Sequence, residues 1–118
     1  MKWLVGMIIF FSSLFSDTIA IASDNNTLSS NISSQASRSN YYIFIDEKGN
    51  VLEILNNNFK NIKGGASSKL IEMLKDKKVS SFIASSFGDK LKNLLDLNSI
   101  KYNVYNGTTN EFIESLSK

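Results

Sequence analysis

Between Val79 and Leu116 the apolar positions change period twice. Val79-Ser80-Ser81-Phe82-Ile83-Ala84-Ser85 is a short β-type run that stops at Phe87-Gly88, and Asp89 to Leu97 then sets Leu91, Leu94 and Leu95 at helical spacing. Ile100-Lys101-Tyr102-Asn103-Val104-Tyr105 alternates like a half-buried strand and Asn106-Gly107 supplies a turn. Thr108 and Glu111 form a capping box ahead of a helix carrying Phe112, Ile113 and Leu116. Strands that alternate with helices predict parallel neighbours, because a parallel pair needs a crossover connection. Sheets of that kind collect ligands in the crevice beyond the carboxyl ends of their strands.

Upstream, Thr18-Ile19-Ala20-Ile21-Ala22-Ser23 is a continuous run of the kind buried on both faces and predicts a central strand, with the turn Asp24-Asn25-Asn26 behind it. Thr27 to Asn40 is rich in Ser and Asn and holds only isolated apolar residues, Leu28, Ile32 and Ala36. It has no period and reads as a long loop over one end of the sheet. A hairpin follows, with strands Tyr41 to Ile45 and Val51 to Leu55 around the turn Asp46-Glu47-Lys48-Gly49-Asn50. Asn56 to Lys63 is a polar loop around Phe59, and Gly64-Gly65-Ala66-Ser67-Ser68 leads into a helix with Leu70, Ile71, Met73 and Leu74. Lys75, Lys77 and Lys78 end that helix, where cations suit its dipole. The class is α/β, in the order β-β-β-α-β-α-β-α.

A chain of 118 residues has room for one core. Its start adds a compartment signal: Met1-Lys2 precedes an apolar run from Trp3 to Phe15, shorter than the roughly 20 residues of a spanning helix and suited to a signal-peptide core. Residues 1–16 are therefore expected to be a signal peptide or N-terminal anchor, and residues 17–118 the domain. The protein is expected to be exported, periplasmic or extracellular, with anchoring to the membrane by residues 3–15 as the alternative. Ala20-Ile21-Ala22 has the small-x-small form of a cleavage site, but a cut there would remove the strand against which both halves pack. Cleavage is expected near Ser16 or not at all.

The chain has no Cys, no His and no Pro. Ser-His-Asp and Cys-His catalysis, structural zinc and thiolate-held iron-sulfur clusters are thereby excluded. A two-metal nuclease needs carboxylates projecting from the central strand and its neighbours. Here the first strand carries none before Asp24, Asp46 and Glu47 lie on a turn, Glu53 is on the return strand, and Asp89 starts a helix. No enzyme is expected. A formal charge of +2, with Lys and Arg scattered along the chain, gives no footprint for nucleic acid. The partner expected is an unidentified protein or an anionic ligand, and a membrane only through an uncleaved leader.

Gly64-Gly65, Phe87-Gly88 and Gly107-Thr108 each precede a helix, so three helix amino termini are expected to face one crevice beside Ser23-Asp24. That geometry suits an anion. Six stretches in order also resemble one family. Ile19-Ala20-Ile21-Ala22-Ser23 stands as its first strand. Ala36-Ser37-Arg38-Ser39-Asn40-Tyr41-Tyr42 matches a Phe-Gly-Arg-Ala-Pro-Tyr-Phe segment, keeping Arg38 and Tyr41. Asn57-Asn58-Phe59 matches Asn-Pro-Phe, and Gly64-Gly65-Ala66 a glycine run. Ser85-Ser86-Phe87-Gly88-Asp89-Lys90 matches Gly-Asn-Phe-Gly-Pro-Lys, and Ile100-Lys101-Tyr102 with Gly107 to Glu111 completes the set.

These residues resemble the dinitrogenase iron-molybdenum cofactor biosynthesis domain. The resemblance implies a ribonuclease-H-like fold with a five-stranded mixed sheet, and an iron-molybdenum or iron-sulfur cluster precursor as cargo. Many relatives carry His or Arg where this chain has Gln35, whose hard oxygen suits iron in a sulfide cluster poorly, and no His or Cys elsewhere replaces it. The expectation is a non-catalytic accessory or binding domain related to metallocluster carriers, with its cluster ligands lost. The alternatives are an extracytoplasmic protein-interaction module and a small-oxyanion binding protein. No metal ligand is assigned. The ligand-binding candidates are Ser23, Asp24, Gln35, Arg38, Gly64, Gly65, Ser85, Ser86, Phe87, Gly88, Gly107 and Thr108.

Overall fold

The computed structural model describes residues 17–117; the expected leader, residues 1–16, lies outside them. Strand β1, Thr18–Ser23, has five consecutive buried residues, as a run without polar alternation requires. Around it the elements follow as β2 (Tyr41–Asp46), β3 (Val51–Asn56), α1 (Ala66–Asp76), β4 (Ser81–Ala84), α2 (Asp89–Leu97), β5 (Lys101–Val104) and α3 (Thr109–Leu116). The sheet order is β3-β2-β1-β4-β5. β1 and β3 flank β2 in antiparallel pairs, while β4 runs parallel to both β1 and β5. The element order is the one the sequence pattern predicts, and the five-stranded mixed sheet is the one the family resemblance implies.

The two faces of β1 differ in side-chain size, and that difference sorts the helices. Ala20 and Ala22 point to one face, where Ala20 lies in register with Phe44 of β2 and Phe82 of β4. Small residues on the middle strand leave room for aromatic rings from its neighbours: Tyr42 and Phe82 approach to 6.1 Å between ring centres. Over this face lie α1 and α2, contributing Leu70, Ile71, Leu74, Leu91 and Leu95. On the other face Ile19 and Ile21 join Ile43, Ile45 and Ile83, and α3 covers them with Phe112, Ile113 and Leu116. Each fully buried large side chain contributes about 1.5–3 kcal/mol.

At the far end of β2 the hairpin turn is tied by Asp46, whose carboxylate accepts from the Lys48 and Asn50 amides, both at 2.9 Å, and from the Asn50 side chain at 3.0 Å. These bonds, led by the Asn50 side chain, hold its pKa below the usual carboxylate value. Gly49 has φ 92°, and a Cβ there would sit 2.7 Å from Cγ2 of Ile113, so glycine is required twice over.

α1 and α2 end alike. Val79 N–H donates to the Leu74 carbonyl and Lys78 N–H to that of Lys75; Ile100 and Ser99 repeat the pattern onto Leu95 and Asp96. These are Schellman ends, with apolar pairs Leu74/Val79 and Leu95/Ile100 in the core beneath. The left-handed residue of each is not glycine: Lys78 and Ser99 both have φ 57°. Among the described residues no helix is long and apolar enough to cross a membrane.

Because a side chain in the left-handed region costs about 1–2 kcal/mol and glycine does not bear that cost, Lys78→Gly and Ser99→Gly should each stabilise the fold. Urea denaturation should show a gain of about 0.5–1 kcal/mol per site, the left-handed cost less the extra entropy glycine loses on folding, and Lys78→Val a loss.

Candidate functional site

The crevice beyond the carboxyl ends of β1 and β4 is filled by the chain's own loop. Asn31 to Ser33 is built into that end of the sheet. Ser33 N–H donates to the Ala22 carbonyl and Asp24 N–H to that of Asn31, while Ser85 N–H donates to the Ser33 carbonyl from the β4 side. Ile32 N–H reaches the Gly107 carbonyl at 2.8 Å, and Ile32 is buried in the core under α3. The expected loop over the sheet end is therefore present, but it divides the end instead of roofing a common pocket.

On the α3 side the leading helix amides are taken by the chain, and the buried Thr109 hydroxyl is the one buried side-chain polar atom without a partner among the described residues. Thr108 Oγ1 accepts from Glu111 N–H and Glu111 Oε1 accepts from Thr108 N–H, the capping box read from the sequence. Thr109 and Asn110 N–H donate to the carbonyls of Ser30 and Leu28. All four leading amides of α3 are thus occupied by protein acceptors. Gly107 and Thr108 belong to this closed corner, and Ser23 and Asp24 are likewise used internally. Ser23 is fully buried with its hydroxyl on the Asn25 carbonyl, and the Asp24 carbonyl accepts from Asn40. The three-terminus crevice beside Ser23-Asp24 is corrected to a two-terminus cleft on the other face.

That cleft has a volume of about 230 Å³. One wall is the run Ser34 to Arg38, and the others are Ser67 of α1 and Ser86, Gly88, Lys90 and Leu91 at the entry to α2. Neither helix has a side-chain cap. Gly65, with φ 77°, precedes α1 and Gly88 precedes α2, and the first intrahelical bonds are Lys69 N–H to Gly65 and Lys92 N–H to Gly88. Among the described residues the amides of Ala66, Ser67 and Ser68, and of Asp89, Lys90 and Leu91, have no protein acceptor. Such groups carry partial positive charge and suit an anion.

The loop wall is buttressed from below. Arg38 Nη1 donates to the carbonyls of Lys60 and Ile62, both at 2.8 Å, clamping the 57–63 loop against it. Ser37 and Ser67 hydroxyls meet at 3.0 Å, joining wall to helix. Beneath, the buried Asn57 side chain donates to the Ser39 carbonyl at 2.8 Å and to the Tyr42 hydroxyl at 3.2 Å, and accepts from Phe59 N–H at 2.9 Å. Tyr42 in turn donates to the Ala36 carbonyl at 2.6 Å. Burial raises the Tyr42 phenol well above its ordinary pKa, which keeps that donor protonated.

Of the candidates, Gln35, Arg38, Ser86 and Gly88 line the cleft. Gly64 and Gly65 shape the turn into α1. Phe87 is core, edge-on to Phe82 at 5.7 Å, and Ser85 is tied to Ser33. Sequence reading missed Ser34, Ser37, Ser67 and Lys90; the last two each stand two residues past a helix-capping glycine, a spacing that could have found them.

Charge is concentrated here. The segments 34–40, 57–69 and 85–92 carry six cations and one carboxylate, Asp89, whereas the remaining described residues carry five cations and ten carboxylates. Of these cations Arg38 and Lys90, fifty-two positions apart in the sequence, are brought by the fold to the same cleft.

The sequence profile of the dinitrogenase iron-molybdenum cofactor family matches residues 17–118. The chain belongs to this family. A NifB-like protein from Thermotoga, of the DUF35 family and solved by NMR, is similar at 32% identity and TM-score 0.69, with 86% of this chain and 87% of that one covered. The apo orange protein from Desulfovibrio gigas shares the fold at 15% identity and TM-score 0.75, over 86% and 87% of the two chains. No curated protein sequence matches. Within the family's fold, no three of His, Cys, Asp and Glu converge among the described residues.

Asn57→Ala should strand the Tyr42 and Ser39 acceptors and the Phe59 donor in a buried place, costing about 2–3 kcal/mol. Thermal unfolding should show it, and a cost below 0.5 kcal/mol would contradict the buttress described here.

Proposed function

We propose that this chain is a non-catalytic carrier or accessory domain of the iron-molybdenum cofactor family. Its cargo is anionic, an iron-molybdenum or iron-sulfur cluster precursor or a simple oxyanion, and it is held in the cleft between Ser34 to Arg38 and the amino termini of α1 and α2. The observation that carries this reading is the donor set: unpaired backbone amides, Ser hydroxyls, Gln35, Arg38 and Lys90, with no carboxylate among the lining residues. Those groups donate hydrogen bonds to the outer atoms of an anion and do not coordinate its metals. Lost coordination would make this a site of recognition, not of ligation.

Four charge-assisted hydrogen bonds contribute about 1.5–3 kcal/mol each, and association consumes about 4 kcal/mol or more. The balance, about 2–8 kcal/mol, corresponds to affinities from tens of millimolar to about micromolar. Gly88 offers the test. Its φ of −81° is ordinary and nothing lies within 4 Å of a Cβ built there, so Gly88→Leu keeps the fold while its side chain occupies the mouth of the cleft. In calorimetry with molybdate and tetrathiomolybdate the parent should bind, and the variant should lose about tenfold or more, roughly 1.4 kcal/mol. Absence of binding by the parent, or equal binding by Gly88→Leu, contradicts the reading.

Residues 1–16 support placing the domain outside the cytoplasm, delivered by a leader cut ahead of Asp17 or retained as an anchor. The middle position of β1 in the sheet favours that boundary over one at Ala22. Mass spectrometry of the exported protein should give a chain beginning near Asp17 or at Met1. A folded chain beginning at Ser23 would lack the central strand and overturn the boundary.

A further inference from the structure

The link between β5 and α3 carries a reactive pair, Asn106-Gly107, outside the cleft. Fourteen asparagines occur in the chain and one of them, Asn106, is followed by glycine, so one side-chain amide is singled out for attack by the next residue's nitrogen. A glycine successor has no Cβ to hinder that approach. Asn106 is exposed in the irregular stretch between the two elements, and neither its side chain nor the Gly107 N–H has a hydrogen-bond partner among the described residues. Asn98, followed by the small Ser99, is the contrasting case. Its side-chain amide is pinned on the Leu94 carbonyl at 2.8 Å, and the Ser99 N–H on that of Asp96 at 3.2 Å. A bulkier successor cannot protect Asn106, because the fold demands the glycine: it has φ 146°, and a Cβ there would lie 2.8 Å from Glu111 Oε1 and 3.2 Å from Tyr105 Cε2.

We infer that Asn106 is a site of spontaneous deamidation, and that its isoaspartyl product loosens the loop dividing the end of the sheet. The Gly107 nitrogen bonds to Asn106 Cγ and gives up its proton, the Cγ–Nδ2 bond breaks, and ammonia leaves as a succinimide ring closes. Water then opens the ring. Opening at Cγ gives aspartate; opening at the backbone carbonyl gives isoaspartate, in which the main chain runs through Cβ and Cγ and is one methylene longer. Water is the one co-reactant, and nothing is oxidised or reduced. The Gly107 carbonyl accepts from Ile32 N–H at 2.8 Å, and Thr108 is bridged to Asn31. A longer chain immediately ahead of Gly107 shifts that carbonyl off the Ile32 amide. The freed segment continues through Ser33 into Ser34, where the cleft wall begins. The added carboxylate stands two residues ahead of the cap Thr108, at the end of α3 that favours negative charge, so the lengthened backbone and not the charge opens the corner. Neither step depends on the cleft holding an anion.

The full chain and a synthetic peptide of residues 102–111 are incubated side by side in mildly alkaline buffer. Peptide mapping by mass spectrometry then locates any gain equal to the difference between water and ammonia. Folded Asn106 should convert within about tenfold of the peptide's rate, as an exposed and unpaired loop position allows. Asn98 should stay intact, and Asn106→Gln should show no gain at that position. Amide exchange followed by NMR reads the loop: Ile32 should exchange at least about tenfold faster in the isoaspartyl chain than in fresh protein. Asn106→Asp, which carries the charge on a backbone of ordinary length, should match fresh protein. Since Asn106 is exposed and unpaired, both variants are expected to fold. Slower conversion than that, or conversion centred on another asparagine, would overturn the modification site. Unchanged exchange at Ile32 in the isoaspartyl chain, or equal loosening in Asn106→Asp, would overturn the loosening of the loop.

Discussion

Three backbone hydrogen bonds around Asn31 to Ser33 decide what this sheet can do. With Asp24 on Asn31, Ser33 on Ala22 and Ser85 on Ser33, the loop becomes part of the end of the sheet between β1 and the exit of β4. A parallel pair would otherwise leave an open crevice there. The inserted segment sends its apolar residue, Ile32, under α3 and its polar continuation, Ser34 to Arg38, toward α1 and α2. One end of the sheet is thereby divided into a sealed corner and an open cleft.

The division agrees with how the core is distributed. Alanines on one face of β1 admit the rings of Tyr42, Phe44 and Phe82, and two helices lie over them; isoleucines on the other face are covered by one. Two helices side by side bring two amino termini to the same edge, and glycine caps without side-chain acceptors leave their amides available. The lone helix has its own cap and the 28–30 loop to consume its amides. The same fold element, a glycine turn into a helix, is thus open twice and closed once, and neighbouring acceptors make the difference.

Much of the architecture was legible because it depends on local pattern. The apolar run Thr18 to Ser23 announced a strand buried on both faces, the turn at Asp46 to Asn50 announced a hairpin, and Thr108 with Glu111 announced a cap; each rests on residues within a few positions of one another. The site was legible only in part. Gln35, Arg38, Ser86 and Gly88 were found through glycine placement and family resemblance. Gly107 and Thr108 were misplaced because the acceptors that close α3, the carbonyls of Leu28 and Ser30, come from a loop about eighty residues earlier, whose course no period reveals. The pairing of two cations at the cleft was hidden for a similar reason: Arg38 and Lys90 are far apart in the chain and line one cleft only in the folded protein.

The central claim is that helix amides on one side of the sheet are open to an anion while those on the other are consumed by the chain. Titration of the ¹⁵N-labelled protein with molybdate, followed through backbone amide resonances, tests it directly. The account predicts shifts at Ser67, Ser68, Lys90 and Leu91 with Thr109, Asn110 and Ser33 unmoved. Shifts centred on Thr109 and Asn110, with those of α1 and α2 silent, would contradict it.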